Sequence, residues 1–276
     1  MTRLSPKDIE SISEPMIVDF DNDLKLKTGL SLLELFRFIS EDRTIQCRDL
    51  ANIKVYVVPI TAGLGLIPGF SEKVALILKF IGFNASKTLK TDVEGFYEAF
   101  KEGAEIIFSA DDNVFAAFNL KKKKVVSNTY ATGVGYAVIL EHALNGLKDK
   151  KVVLIGAGKV GIAALQYMVP KRPEIIVVEN NEEKVRKLKE CFPEVQLELI
   201  KREEDIDNIL SEEIDGMIVA APIKRLNIKK EKLNKIEIAY PAVPFSLPKE
   251  YINHRNIIHD PLVIGVVSMA ALVLRD

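Results

Sequence analysis

The chain is poor in cysteine and histidine, with two of the one and three of the other, and it carries almost no net charge. Its 38 Lys and Arg face 39 Asp and Glu, leaving −1 at pH 7 over 276 residues. Cys47 and Cys191 form no CxxC pair and stand far apart, so neither a disulfide framework nor a zinc cluster is indicated. His142, His254 and His259 belong to no compact His/Cys/carboxylate pattern, and no metal site is expected. The balanced charge argues against nucleic-acid binding, which calls for a basic excess or a basic face. The longest uncharged stretches, residues 55–71 and 261–274, fall short of the ~20 residues that span a bilayer, and Pro59 and Pro68 interrupt the first. The opening residues are charged and polar and lack an apolar signal core. Neither a membrane segment nor export is expected, and the reading is a cytoplasmic protein acting on small molecules.

What is present is an alternation of short β-branched runs with amphipathic stretches, the pattern of an α/β layer fold. Residues 1–50 carry helix signals instead. Ser5, Pro6 and Asp8 resemble a cap, a first-turn proline and a first-turn acid, and Ser31 precedes the apolar positions Leu32, Leu33, Leu35, Phe36 and Ile39. Strands are expected at 53–58 and 105–108, helices at 71–80 and 92–101, and a hairpin at 114–119 and 125–127 around Lys121–Lys124, a run that reads as a solvated turn. A long helix over 132–147 then leads out. Three segments follow: a helical arm at 1–50, a smaller α/β domain at 51–148 and, at 149–276, a domain that the glycine motif Gly156–Gly161 marks as Rossmann-like and NAD-binding. Tyr130 and Tyr136 are assigned to packing, and Met168, Met217 and Met269 to the core.

The apolar run 152–155 leads directly into Gly156-Ala157-Gly158-Lys159-Val160-Gly161, and 162–169 is helical in pattern. In such a GxGxxG the first glycine permits the tight turn, the second admits a pyrophosphate and the third lets helix pack on strand. The helix N-terminus, with Lys159 and Val160, offers open N–H groups to phosphate. A second strand, 175–178, ends in Glu179, 18 residues after Gly161 and placed for the adenosine ribose. An acid there favours NAD over NADP, with Lys184 and Arg186 nearby as opposing charges. Later strands end in Ala221-Pro222, Tyr240-Pro241 and His259-Asp260-Pro261. Ligands of open α/β sheets sit beyond the carboxyl ends of the strands, so these loops are expected on the nicotinamide side, with proline stiffening each edge.

In the first domain the segments VPITAGLGLIPGFSE (58–72) and ADDNVFAAFNLKKKKVVSNTYATG (110–133), with GAGKVG (156–161) and DPLVIGVVSMA (260–270), resemble the PylD family, the methylornithyl-lysine dehydrogenases of pyrrolysine biosynthesis. From spacing alone the glycine loop is more simply a connection needing glycines for its turns, and Asp111-Asp112 more simply a turn. The resemblance implies NAD-dependent oxidation of the amine-bearing carbon of the methylornithine moiety, loss of ammonia and ring closure. It also implies a dipeptide-like amine substrate whose pocket includes Leu4, Thr61, Phe70, Asp111, Asn128 and Asp260. Asp111 would bind and orient the substrate amine, and the helix carrying Leu4 would fold over the site as a lid. Two departures stand out: Ala62 replaces the family's serine in Thr-Ser-Gly, and Asp260 its glutamate before Pro-Leu. A dehydrogenase of another amine and a non-catalytic NAD-sensing module are the rival readings. The oligomeric state is not fixed, and a homodimer is one assembly compatible with the sequence.

Overall fold

The computed structural model describes residues 4–200, 205–210, 212–224 and 226–276. Contacts divide the chain into two compact units. The first takes residues up to Leu26, then Leu30–Gly135 and Pro261–Asp276; the second takes Lys27–Gly29 and Tyr136–Asp260. Expected boundaries at 50/51 and 148/149 therefore differ from these divisions, and residues 261–276, read as Rossmann, return to the first unit.

In the first unit, α1 (Pro6–Glu10), α2 (Glu14–Thr28), α3 (Leu32–Ser40) and α4 (Cys47–Leu50) precede β1 (Lys54–Pro59). There follow α5 (Phe70–Phe80), β2 (Asn84–Lys87), α6 (Asp92–Lys101), β3 (Ile106–Ala110), β4 (Phe115–Asn119), β5 (Lys124–Ser127) and α7 (Asn128–Ala143), which continues into the second unit. The helical arm begins as its caps dictate. Ser5 Oγ accepts the Asp8 amide and Asp8 accepts that of Ser5, while Ser31 and Glu34 form a reciprocal capping box. Leu32, Leu35, Phe36 and Ile39 are the buried stripe of α3.

The sheet order is β2-β1-β3-β4-β5, parallel through β3 and antiparallel beyond. Alternation along the strands gives it two faces. Tyr56, Val58, Ile107 and Phe118 face α6, which approaches β1 so closely that a Cβ at Gly95 would lie 2.8 Å from Val58 Cγ1. The opposite face receives α12 (Val263–Leu274), apolar but for Ser268 and buried from Val263 to Val273, as a helix enclosed by protein must be.

Lys121, Lys122 and Lys123 are exposed in a turn, as read, and the end of α12 adds partners for Lys122 and Lys124. Lys122 reaches the Leu274 carbonyl and Asp276, Lys124 donates to the Arg275 carbonyl at 2.5 Å, and buried Asn119 donates to the Val273 carbonyl at 3.1 Å. Cations at a helix C-terminus meet its negative dipole end. Burial and the charges of Lys122 and Arg275 lower the Lys124 pKa.

In the second unit β6 (Lys151–Ile155), α8 (Lys159–Met168), β7 (Glu174–Glu179), α9 (Glu182–Cys191) and β8 (Gln196–Leu199) are followed by α10 (Asp205–Ile209), β9 (Gly216–Val219), α11 (Lys230–Leu233), β10 (Glu237–Tyr240) and β11 (Ile257–His259). All six strands are parallel in the order β11-β10-β9-β6-β7-β8. This is the doubly wound arrangement, with its switch point between β6 and β9. Strands covered on both faces read as continuous apolar runs, as Val152–Ile155 and Ile175–Val178 do.

Candidate active site

The glycine loop leaves β6 at the switch point. Gly156 holds φ +94, and a Cβ there would lie 2.4 Å from that of Ala221, which follows β9. A Cβ on Gly161 would come within 2.0 Å of the Gly156 carbonyl, so α8 can approach the loop only without one. Gly158 is different: a Cβ there meets nothing within 4 Å. This space at the open N–H groups of Lys159 and Val160 is a cradle of the kind that admits a pyrophosphate. The residues present thus fit a dinucleotide.

Glu179 is buried, 5% exposed, and both its oxygens are engaged. Oε2 accepts the Ala157 amide at 2.8 Å and contacts Lys184 Nζ at 3.5 Å; Oε1 accepts the amides of Asn180 and Asn181. A carboxylate offers about four acceptor sites, so this one fastens the glycine loop to the end of β7. The longer Lys184 contact is the one a ribose hydroxyl can replace at least cost. Along the same strand ends, Pro222 is exposed and Pro241 half-buried. The edge there is stiffened by aromatic packing as well as by proline. His259 Nδ1 lies 2.8 Å from the Tyr240 carbonyl, and the rings of Phe245 and His259 pack at a tilt of 40°, centroids 4.9 Å apart.

The first unit gathers most of the expected substrate residues at one sheet edge. Register places Pro59 beside Ala110, Ala110 beside Phe115, and Ala116 beside Ser127. The loop after β1, the turn after β3 and the start of α7 consequently share that edge, and with them Thr61, Phe70, Asp111 and Asn128. Phe70 packs edge-on against Phe115, centroids 5.2 Å apart. Asn128 begins α7, and its Oδ1 lies within reach of Thr132 Oγ1, 3.4 Å away, and 2.6 Å from where a Cβ on Gly265 would stand. Leu4 lies just before α1 rather than on it, and is half-buried. The helix itself packs by buried Ile9 near Gly69 at the end of the glycine loop. Asp260 belongs to the other unit; it is buried, and its backbone N–H and C=O both bond the Tyr136 hydroxyl. Burial and the Asp260 charge push the Tyr136 pKa well up, in keeping with a packing role.

Asp111 is exposed. Its Oδ1 accepts the amides of Val114 and Asn113, each at 2.7 Å, and these bonds lower its pKa. Two other carboxylates, given no role by sequence reasoning, hold the glycine loop in place. Asp112 Oδ2 accepts the Leu64 amide at 2.6 Å. Asp92 accepts both the amide (2.8 Å) and the hydroxyl (2.6 Å) of Thr61. The only sequence signal for either was an acid beside a loop or at a helix start. At and just beyond the second anchor the loop carries Leu64 and Leu66, both exposed apolar side chains.

Residues 13–126 match the family model "Pyrrolysine biosynthesis protein PylD, N-terminal domain". The chain resembles the PylD family over this segment. Pyrrolysine synthase of Methanosarcina acetivorans is 36% identical over 173 residues, covering 62% of this chain and 63% of that protein. Pyrrolysine synthase of Methanosarcina barkeri is 34% identical over 171 residues, 62% of each chain. The chain thus aligns with less than two thirds of the length of these relatives. Residues 139–247 match the shikimate/quinate 5-dehydrogenase model. Among solved structures, the Ael1 enzyme of Pseudomonas putida shares the fold at TM-score 0.53 and 16% identity, covering 80% of this chain and 92% of that one. Quinate dehydrogenase of Corynebacterium glutamicum, solved with NAD, does so at 0.50 and 14%, covering 80% and 93%. These likenesses agree with the expected fold class, a Rossmann-like domain together with a smaller α/β domain in one chain. Among the described residues no helix is long and apolar enough to cross a membrane, and no three His, Cys, Asp or Glu side chains gather as a metal site.

Proposed function

We propose that this chain is a PylD-family, pyrrolysine-forming, NAD-dependent dehydrogenase. Its substrate is methylornithyl-lysine, oxidised at the carbon bearing the side-chain amine of the methylornithine part. The C–H bond gives up its hydride, the amine its proton, and the resulting imine is attacked by the α-amine with loss of ammonia. The observation carrying this reading is the edge that collects Thr61, Phe70, Asp111 and Asn128 in a domain matching the PylD N-terminal model.

The nicotinamide, when bound, supplies the hydride acceptor; the chain's residues bind, orient and exclude water. Asp111 holds the substrate amine by charge and hydrogen bonding through Oδ2. Its lowered proton affinity suits it to anchoring an ammonium more than to keeping the proton released. The Thr61 hydroxyl donates to Asp92 and so presents lone pairs to a substrate N–H. Asn128 positions a second polar group, and α1 with the preceding Leu4 covers the apolar side. Gly156, Gly158 and Gly161 shape the pyrophosphate cradle, and Glu179, exchanging its Lys184 contact for a ribose hydroxyl, selects NAD over NADP.

The departures at Ala62 and Asp260 favour a second reading, the same reaction type on another amine. Formation of NADH is the test, with methylornithyl-lysine assayed against a panel of ornithine- and lysine-derived amines. Turnover of another amine alone replaces the substrate assignment. Binding of NAD with turnover of none replaces the enzyme by a sensor.

A further inference from the structure

Helix α6 carries apolar residues on its outer side as well as its inner one, among charged neighbours. Its inner side, with Phe96 and Ala99, covers the sheet. Its outer side carries Val93, Tyr97 and Phe100, which are 83%, 67% and 59% exposed, and Leu89 just before the helix is 89% exposed. Spacings of four and three residues place Val93, Tyr97 and Phe100 on one stripe. The stripe stands on a fixed backbone, because the Glu98 carboxylate accepts the amides of both Leu89 and Lys90 at 2.9 Å. Val125, paired with Phe118 across β4 and β5, opens from the same sheet face and is likewise exposed.

We propose that this stripe is the contact between two copies of the chain, with α6 packed antiparallel on its symmetry mate about a two-fold axis at Tyr97. An aromatic side chain carries about 150–250 Å², so the four residues present on the order of 500 Å². That is a large share of the ~800 Å² each partner gives to a stable interface, and the largest apolar patch of a protein, commonly about 300–600 Å², is often functional.

The charges select a second copy as the occupant. Glu94 and Lys101, seven residues apart, lie on one flank of the stripe. A two-fold antiparallel to α6 keeps that flank on the same side and reverses its order. It sets Val93 against the partner's Phe100 and Glu94 against the partner's Lys101, twice per dimer. Lys101 forms no ion pair of its own among the described residues, whereas Glu94 has only its exposed contact to Lys90 at 3.2 Å. A closed, self-complementary contact of this kind is the usual form of a homodimer.

Analytical ultracentrifugation of the full chain tests the arrangement without reference to catalysis. The expected result is a concentration-dependent dimer that Tyr97→Glu weakens about 30-fold or more, with unchanged circular dichroism and melting temperature. Glu94→Lys and Lys101→Glu each weaken it, and the double exchange Glu94→Lys/Lys101→Glu restores it, a pattern that a merely destabilised fold does not give. In a Cys47→Ser/Cys191→Ser background, removing the two exposed thiols, Tyr97→Cys forms an intermolecular disulfide on mild oxidation. A chain that stays monomeric at about 100 µM overturns the proposal, whether or not lipid vesicles or another protein take up the stripe. So does a dimer indifferent to Tyr97→Glu and to both charge reversals.

Discussion

Asp112 Oδ2 accepts the Leu64 amide at 2.6 Å, joining residues 48 positions apart. The turn that offers Asp111 to solvent is by this bond fastened to the glycine loop that carries Thr61. Gly63 is fixed by the same contact: its φ is +73, and a Cβ would stand 2.0 Å from Asp112 Oδ2.

Gly63→Ala is expected to cost about 1–2 kcal/mol from the left-handed backbone alone and to push Asp112 off Leu64. Urea denaturation measures the first effect. The second appears as a raised KM for the amine with an unchanged Kd for NAD. Asp112→Asn keeps an acceptor for Leu64 and stays near the parent protein, while Asp112→Ala reproduces the KM defect.

The cofactor loop separates folding from binding. Gly158→Ala meets open space, so the melting temperature should hold while NAD affinity falls at least ~10-fold as the methyl group intrudes on the pyrophosphate site. Gly161→Ala meets the Gly156 carbonyl at 2.0 Å and should lower both. Thermal shift with and without NAD, beside calorimetric titration, checks the pair.

The depressed pKa of Asp111 sets the sign of its pH effect. The stability this carboxylate adds is present above its unfolded value near ~3.9 and is lost as pH falls through the lower folded value. The difference in melting temperature between the parent and Asp111→Asn should be flat from about pH 5 to 8 and shrink in acid. Turnover of the amine by Asp111→Asn should fall roughly 100-fold or more, with NAD affinity nearly intact. A parent-like rate removes Asp111 from the proposed role.

Asn119→Ala leaves the buried Val273 carbonyl without its side-chain donor and should cost about 1–3 kcal/mol. Lys124→Met, at a partly exposed contact, should cost less, about 1 kcal/mol or under. Denaturant midpoints distinguish them.

The sequence was most readable where the pattern is local. Helix α6 runs from Asp92 to Lys101 as its amphipathic spacing predicts, and the glycines, β6 and Glu179 lie as the fingerprint requires. Strands β2 (Asn84–Lys87) and β8 (Gln196–Leu199) went unread, being four residues each with polar groups among them. The helix read over 132–147 instead begins at Asn128, because Asn-Thr-Tyr-Ala carries no apolar period to announce it. Long-range ties left the weakest trace. Nothing local to Asp92, Asp112 or Lys124 names Thr61, Leu64 or Arg275 as its partner, and these pairings are what the fold adds to the site.

Because α12 belongs to the first unit yet follows the second in the chain, ribosomal synthesis delivers the parts out of spatial order. The five-stranded sheet emerges early but lacks the helix that packs on β4 and β5 until every residue of the second unit has been made. Its nascent form must therefore wait with an oily surface uncovered, and removal of the final helix would leave that surface bare for the lifetime of the molecule.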